Sequence, residues 1–147
     1  MQQADELLGM IDKSVKAFEQ IPPEDWVATP TPEKWSKQEI LGHLIDSAIN
    51  NIRRLVVGQY EPNQKMIYFQ DQWVAAQNYQ QAPSRELLDL WRLLNLQMVR
   101  VMNNVPPEKL QNTVDTGKGT VAFHTLEFIM TDYVAHLKHH VAQIAGK

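Results

Sequence analysis

Three histidines lie within five positions near the end of the sequence, in the stretch YVAHLKHHVAQI at residues 133–144. His136 and His140 are four residues apart, so on a helix with about 100° per residue they fall about 40° apart, one above the other. Two imidazoles in this arrangement can bind one cation, as in the paired histidines of helical zinc enzymes. His139 points farther toward solvent. The spacing therefore favours His136 and His140 as a metal-binding pair.

His43 is the candidate for a third ligand. It belongs to a polar stripe on an earlier helix, roughly opposite the centre of the apolar face, and we expect it outside the hydrophobic core. The stripe consists of His43, Asp46, Ser47, Asn50 and Arg54. It is compatible with a solvent face and with the wall of a cleft, and only a cleft brings His43 to the pair. Three neutral imidazoles with open positions are typical of a catalytic Zn²⁺ site, although Ni²⁺, Fe²⁺ or Mn²⁺ also fits.

More ordinary roles remain open for all of these residues. A histidine on an amphipathic helix is more often a boundary residue than a ligand, and helices normally expose polar residues. Glu127 and Asp132 are candidate acceptors for the imidazole N–H groups, but surface charge is their commoner role. His124 adjoins the expected start of the last helix, where a cap or surface role is the default, and we exclude it from the site.

Composition narrows the function classes. The chain of 147 residues has no cysteine, so a metal site must use His, Asp or Glu, and a cysteine nucleophile is impossible. Its formal net charge is −3 and its basic residues are scattered, which argues against a nucleic-acid partner. No run approaches eighteen apolar residues, and the first residues do not resemble a secretion signal. We therefore expect a soluble, cytoplasmic protein with no membrane partner.

Four segments with the periodicity of amphipathic helices position the histidines. The predicted helices cover residues 4–20, 37–57, 85–105 and 125–145. Pro22-Pro23 stops the first. Ser36 and Glu39 have capping-box spacing at the start of the second, Ser84 is the expected N-cap of the third, and Pro106-Pro107 ends it. The pattern predicts an all-α four-helix bundle that forms a single domain over residues 1–147.

Two connections are longer than a minimal bundle needs. Residues 59–83 join the second and third helices and contain five aromatic residues, which we expect to cover the end of the bundle. Within them, FQDQWVAAQNY has the composition of a short helix. The stretch KLQNTVDTGKGTVAFHT before the last helix predicts an extended excursion with a turn at residues 117–119.

The motifs also carry a family resemblance. KWSKQEILGHLIDSAINNIRRL, the connection from Trp73 to Ser84, and YVAHLKHHVAQI together resemble the DinB-like superfamily of four-helix-bundle metalloproteins. HLID followed by Asn50 and Arg54, with the HLKHH ending, is similar to the bacillithiol-transferase group, whose members are also described as metal-dependent hydrolases. The resemblance spans nearly the whole chain in order, and its combined motifs are more specific than a histidine pair.

The resemblance implies an up-down-down-up bundle, frequently a homodimer, with a divalent metal held by three histidines. His43 matches the ligand of the second helix, and His136 and His140 match those of the fourth. His139 matches a neighbouring position that is not a ligand. Polar positions beside the site, which we assign to substrate binding, are matched by Asp46, Asn50 and Arg54. This chain departs from the pattern at Val134-Ala135 and Leu137, and these departures leave the three ligands intact.

The resemblance further implies that a small-molecule thiol such as bacillithiol is transferred onto a small electrophile, with the cation stabilising the thiolate. Arg54 would then bind a substrate carboxylate and Asn50 would donate a hydrogen bond to it. The same metal activates water in a hydrolase, and the motifs do not separate the two reactions. A third interpretation is a stress-associated dimer that binds metal without catalysis.

Overall fold

The computed structural model describes residues 1–146, and every predicted helix is present in it. In chain order the elements are α1 (Gln2–Phe18), α2 (Pro23–Val27), α3 (Lys37–Tyr60), α4 (Gln70–Gln77), α5 (Ser84–Asn104), β1 (Thr113–Asp115), β2 (Phe123–Thr125) and α6 (Leu126–Gly146). Short 3₁₀ turns lie at Tyr79–Gln81 and Pro107–Lys109. The four long helices, α1, α3, α5 and α6, form the predicted bundle.

Contacts between helix ends fix the directions of the four helices. Both α5 and α6 pack against α1 and α3, so the order around the bundle is α1, α5, α3, α6. Arg85 at the start of α5 contacts Glu19 beyond the end of α1, and Lys37 at the start of α3 contacts the Ile144 carbonyl at the end of α6. Along α1 and α6 the contacts advance together, from Gln3 with Thr131 to Glu6 with Lys138. They make α5 antiparallel to α1, α3 antiparallel to α6, and α6 parallel to α1. The topology is therefore up-down-down-up, as the resemblance implied.

Helix α3 is buried on two sides. Residues 40–48 are all buried, because α4 and the turn at Tyr79–Gln81 cover the side of α3 that faces away from the bundle. The expectation that His43 lies outside the core is wrong, since its side chain is only 1% exposed. Conversely, Ile49 and Val56 of the predicted apolar face are exposed. The aromatic connection thus covers a flank of α3 rather than only the end of the bundle.

Several local predictions need correction. Pro23 occupies the first turn of α2 and so begins a helix where the sequence predicted only a stop, because an N1 proline lacks only an N–H that has no helical partner. Ser84 is the first residue of α5 rather than its N-cap, which is Pro83. The short helix in residues 59–83 is confirmed as α4. The extended excursion is confirmed as an antiparallel hairpin of β1 and β2. No helix within residues 1–146 has the length and apolar character needed to cross a membrane.

Candidate metal centre

A capping box fixes the start of α3, two turns before His43. The Ser36 hydroxyl accepts a hydrogen bond from the Glu39 backbone N–H at 3.1 Å, and the Glu39 carboxylate accepts one from the Ser36 N–H at 3.0 Å. These bonds satisfy two N–H groups that the first turn leaves without helical partners. Trp35, just outside the helix, places its ring 5.1 Å from that of His43. The residues at the predicted start of α3 therefore also form part of the wall around His43.

The structure brings together the three histidines that the sequence singled out. Because α3 and α6 are antiparallel, the first turns of α3 meet the last turns of α6. His43 Nε2 lies 3.2 Å from His136 Nε2, and one nitrogen from each of His43, His136 and His140 lies within 4.8 Å of the others. The cluster is buried at His43 and half-buried at the other two residues. His139 is exposed, as predicted.

Burial keeps these imidazoles neutral. Desolvation, and then the proximity of His136 and His140, lowers the pKa of His43 to about 3. The pKa of His136 is lowered to about 4, again chiefly by burial, and that of His140 is also lowered. At neutral pH the three rings therefore present lone pairs rather than positive charges, which is the state that a metal ion requires.

The donor set and its spacing fit a divalent transition metal. Two nitrogens bound at about 2.0–2.1 Å in tetrahedral geometry lie about 3.3 Å apart, close to the 3.2 Å between the Nε2 atoms of His43 and His136. His140 Nδ1 lies 2.9 Å from Gln143 Oε1, an acceptor that holds the proton on Nδ1 and leaves Nε2 with its lone pair. His43 Nδ1 is buried without a hydrogen-bond partner among the described residues. These three residues can therefore hold a divalent ion.

The depressed pKa values predict acid sensitivity of the metal-free protein. In the unfolded chain histidine has a pKa near 6.5, whereas burial lowers the pKa of folded His43 to about 3 and that of His136 to about 4. Below pH 6.5 the unfolded state therefore binds more protons, and the free energy of unfolding falls by up to about 1.4 kcal/mol per pH unit for each of the two histidines. Urea unfolding between pH 6.5 and 5 measures this slope.

Two variants separate this effect from general acid sensitivity. Replacing both histidines, in His43→Gln/His136→Gln, should flatten the slope, while His139→Gln, at the exposed neighbour, should leave it unchanged. A free energy of unfolding of the wild type that is constant over this pH range would contradict the expectation.

Asp46 is buried beside the cluster and is held by the long connection. Its Oδ1 accepts hydrogen bonds from the Tyr79 hydroxyl at 2.6 Å and from Gln77 Nε2 at 3.0 Å. Desolvation raises the pKa of Asp46, and these two bonds oppose the rise. Gly42 makes the approach of Tyr79 possible, because a Cβ there would lie 2.1 Å from the ring atom Cδ2. A glycine inside a helical pattern is a sequence signal of such close contact.

Asn50 and Arg54 bind other parts of the chain. Asn50 donates to the Asp46 backbone carbonyl at 2.9 Å. Arg54 donates from Nε and Nη2 to the Met66 carbonyl at 3.0 and 2.8 Å, and its guanidinium lies over the Tyr68 ring. In the structure Arg54 therefore anchors the connection to α3. The assignment of Asp46, Asn50 and Arg54 to substrate binding stays a prediction.

The residues set aside from the site have other surroundings. His124 stacks on Phe128 with ring centroids 4.4 Å apart, and no other ring contact of His124 is recorded within residues 1–146. Glu127 is exposed and accepts a hydrogen bond from Gln111. Asp132 is also exposed, but its charge raises the pKa of His136 against the effect of burial. Surface roles account for His124 and Glu127.

A cleft of about 910 Å³ opens beside His140. Its walls come from the segment before α3, from the start of α4 and from the end of α6. Trp35 and Ile40 supply apolar surface, while Gln143 and Lys34 are among its polar groups. The volume suits a small molecule rather than a polymer. No pattern in the sequence had indicated that Trp35 and Gln143 contribute to the wall of a cleft.

Comparisons with known proteins find solved structures with a similar fold. YfiT from Bacillus subtilis, described as a probable metal-dependent hydrolase with an unusual four-helix bundle topology, has a TM-score of 0.86 at 20% identity, over 97% of this chain and 82% of YfiT. A mycothiol-dependent maleylpyruvate isomerase has a TM-score of 0.80 at 8% identity, over 97% of this chain but only 59% of the isomerase. The DinB-like protein YjoA, also from Bacillus subtilis, has a TM-score of 0.68 at 16% identity, over 98% of this chain and 88% of YjoA.

At these identities the structural likeness establishes the fold alone. Comparison with curated protein sequences gives no match. The model of the DinB superfamily, however, matches residues 6–144, which is nearly the whole length. The chain therefore belongs to the DinB superfamily.

Proposed function

We propose that the protein is a metal-dependent enzyme in which His43, His136 and His140 hold a divalent cation. The observation that carries this proposal is the convergence of three neutral imidazoles within 4.8 Å at the side of a cleft. Zn²⁺ is the metal that best suits three histidines with open positions, and Ni²⁺, Fe²⁺ and Mn²⁺ are the alternatives. The family membership and the description of YfiT support a metal-dependent function.

The residues around the cluster have separate tasks in this proposal. A divalent cation lowers the pKa of a coordinated thiol or water and so supplies a nucleophile at neutral pH. His140 lines the cleft from which a reactant enters, while the buried His43 closes the inner side of the cluster. Trp35 and Ile40 give the reactant an apolar wall, which excludes part of the surrounding water.

The reaction that we propose first is transfer of a small thiol, of the bacillithiol type, onto a small electrophile. The sulfur bonds to the electrophilic carbon, the leaving group departs with its bonding electrons, and the thiol proton passes to solvent. The chain contains no cysteine, so the sulfur nucleophile comes with the cosubstrate. The thiol dependence stated for the neighbouring isomerase supports this choice.

Two alternatives have support of their own. Hydrolysis with an activated water is favoured by the description of YfiT. A non-catalytic metal-binding homodimer is favoured by exposed apolar side chains on two adjacent helices, Ile49 and Val56 on α3 and Leu90 and Leu93 on α5. Neither nucleic acid nor a membrane is a partner in any of the three versions.

Turnover by the metal-loaded protein separates these functions. We expect protein loaded with Zn²⁺ to accelerate the reaction of bacillithiol with monochlorobimane, and to act more slowly on carboxylic esters. Loss of acceleration in His136→Ala, with activity retained in His139→Ala, would tie the rate to the cluster. Faster ester hydrolysis without thiol would favour the hydrolase. If the metal-loaded protein catalysed neither reaction, the non-catalytic metal-binding homodimer would be favoured.

A further inference from the structure

A second, smaller cavity with a positive lining lies next to the cleft. Its volume is about 320 Å³, and its lining residues are Lys65, Ile67, Phe69, Lys118 and Gly119. The lining includes two lysines and no acidic residue. Phe69 directly precedes Gln70 and Asp71, which line the cleft beside His140. The linings of the cavity and of the cleft therefore meet along the chain at the start of α4.

The turn that carries Lys118 has a defined conformation. Asp115 accepts hydrogen bonds from the backbone N–H groups of Gly117 at 3.0 Å and Ala122 at 2.9 Å, which close the turn between β1 and β2. Gly117 has no room for a side chain, since a Cβ would lie 1.8 Å from the Thr120 carbonyl oxygen. Lys118 is thus presented by a closed turn rather than by an unconstrained loop.

Hydrogen bonds connect this turn to the helix that carries His43. The Met66 N–H donates to the Asp115 carbonyl at 2.9 Å, and the Asp115 N–H donates to the Gln64 carbonyl at 2.9 Å. The Met66 carbonyl in turn accepts both bonds from Arg54 of α3. These backbone hydrogen bonds, together with those of the Arg54 side chain, therefore fix the position of the turn relative to α3.

Lys118 lies over the aromatic ring of Phe69, which lines the cavity with it. Its Nζ lies 5.7 Å from the centre of the Phe69 ring, in a cation–π contact that holds the side chain over the cavity. Among the described residues it forms no salt bridge, so its charge is free to meet a ligand.

We propose that Lys118 binds a carboxylate, or a similar anionic group, on the small molecule that reacts at the histidine cluster. This inference rests on the proposed function and adds the substrate class, which is an anion. An anionic group over the cavity would be attracted by the positive charges of Lys118 and Lys65. The apolar side chains of Phe69 and Ile67 would contact the adjoining carbon atoms of the ligand. Lys118 is then a determinant of specificity rather than a catalytic residue.

Three thiols of similar size but different charge test the proposal. Co²⁺-loaded protein is titrated with 3-mercaptopropionate, 2-mercaptoethanol and cysteamine, and thiol binding is followed through the Co²⁺ absorption bands. We expect the wild type to bind the anion most tightly. Lys118→Met should weaken binding of the anion on the order of fivefold and leave the neutral thiol unchanged, as for one partly exposed charge pair.

Matched variants guard against indirect effects. Lys118→Arg should retain the preference for the anion, and Lys109→Met, at a lysine that lines a separate cavity, should bind all three thiols as the wild type does. Equal affinity of the wild type and Lys118→Met for 3-mercaptopropionate would overturn the proposal. So would equal weakening of the anionic and neutral thiols in Lys118→Met.

A probe without sulfur separates this inference from the proposed function. If no thiol changes the Co²⁺ spectrum, the thiol-transfer proposal fails, and binding of succinate to the metal-loaded protein is measured by calorimetry instead. Weaker succinate binding in Lys118→Met would then support anion recognition on its own. Identical succinate affinity in the wild type and the variant, or no binding by either, would overturn it.

Discussion

Replacing His43 or His136 by alanine is expected to lower the affinity for a divalent metal by two to three orders of magnitude. Structural zinc sites bind with about 10–16 kcal/mol through four protein ligands, so each ligand contributes about 2.5–4 kcal/mol, which is on the order of 10²–10³-fold in the dissociation constant. Both side chains direct Nε2 at the same point, with the two atoms 3.2 Å apart. The measurement is competition for Zn²⁺ against a chelating dye.

His139→Ala is the matched control for these variants. His139 has the same side chain and lies beside His140, but it is exposed and does not belong to the cluster of ligand atoms. Its replacement should leave the affinity at the value of the wild type. If His139→Ala lost as much affinity as His136→Ala, or if His43→Ala bound Zn²⁺ normally, the three-histidine site would be wrong.

Gly42→Ala is expected to lower the free energy of unfolding by about 1–3 kcal/mol, the usual cost of overpacking. The new methyl group would lie 2.1–2.5 Å from three atoms of the Tyr79 ring, which must move. That movement also lengthens the hydrogen bond from the Tyr79 hydroxyl to Asp46, one turn from His43. Urea unfolding gives the change in stability, and the dye competition gives its effect on metal affinity.

Gly9→Ala is expected to change the free energy of unfolding in the opposite direction. Nothing lies within 4 Å of a Cβ at Gly9, in the middle of α1, so the same change should stabilise the protein by about 0.5–1 kcal/mol through helix propensity. In a Tyr79→Ala background the clash is gone, and Gly42→Ala should cost much less than in the wild type. A Gly42→Ala protein as stable as the wild type would show that the ring is not packed as described.

The features that the sequence could predict are those that depend on the spacing of residues within one or two helical turns. The relation of His136 to His140, the outward position of His139 and the capping box at Ser36 follow from helix geometry within one or two turns, and the structure has all three. The periodic segments also predicted the four helices to within a few residues. The family resemblance supplied the topology that brings His43 to the pair.

What the sequence could not predict depends on the course of the long connection. The wheel of α3 placed Asp46 on a polar stripe, but burial of that stripe requires Tyr79 and α4 to pack over it, and no periodicity specifies such a contact. Lys118 is another example, because its place over Phe69 depends on the hairpin being joined to the connection at Met66. Contacts between irregular segments distant in sequence leave no spacing pattern.

The antiparallel pairing of α3 and α6 brings together residues that are far apart in the chain. His43 and His136 are separated by 93 positions, so an ion shared between them acts as a removable crosslink. Closing a loop of that length in a disordered chain costs roughly 4 kcal/mol of entropy, so the three ligands rarely assemble before the bundle does. Binding therefore draws the equilibrium toward the native state, and a chelator should reduce resistance to heat and proteolysis even where no catalysis is measured.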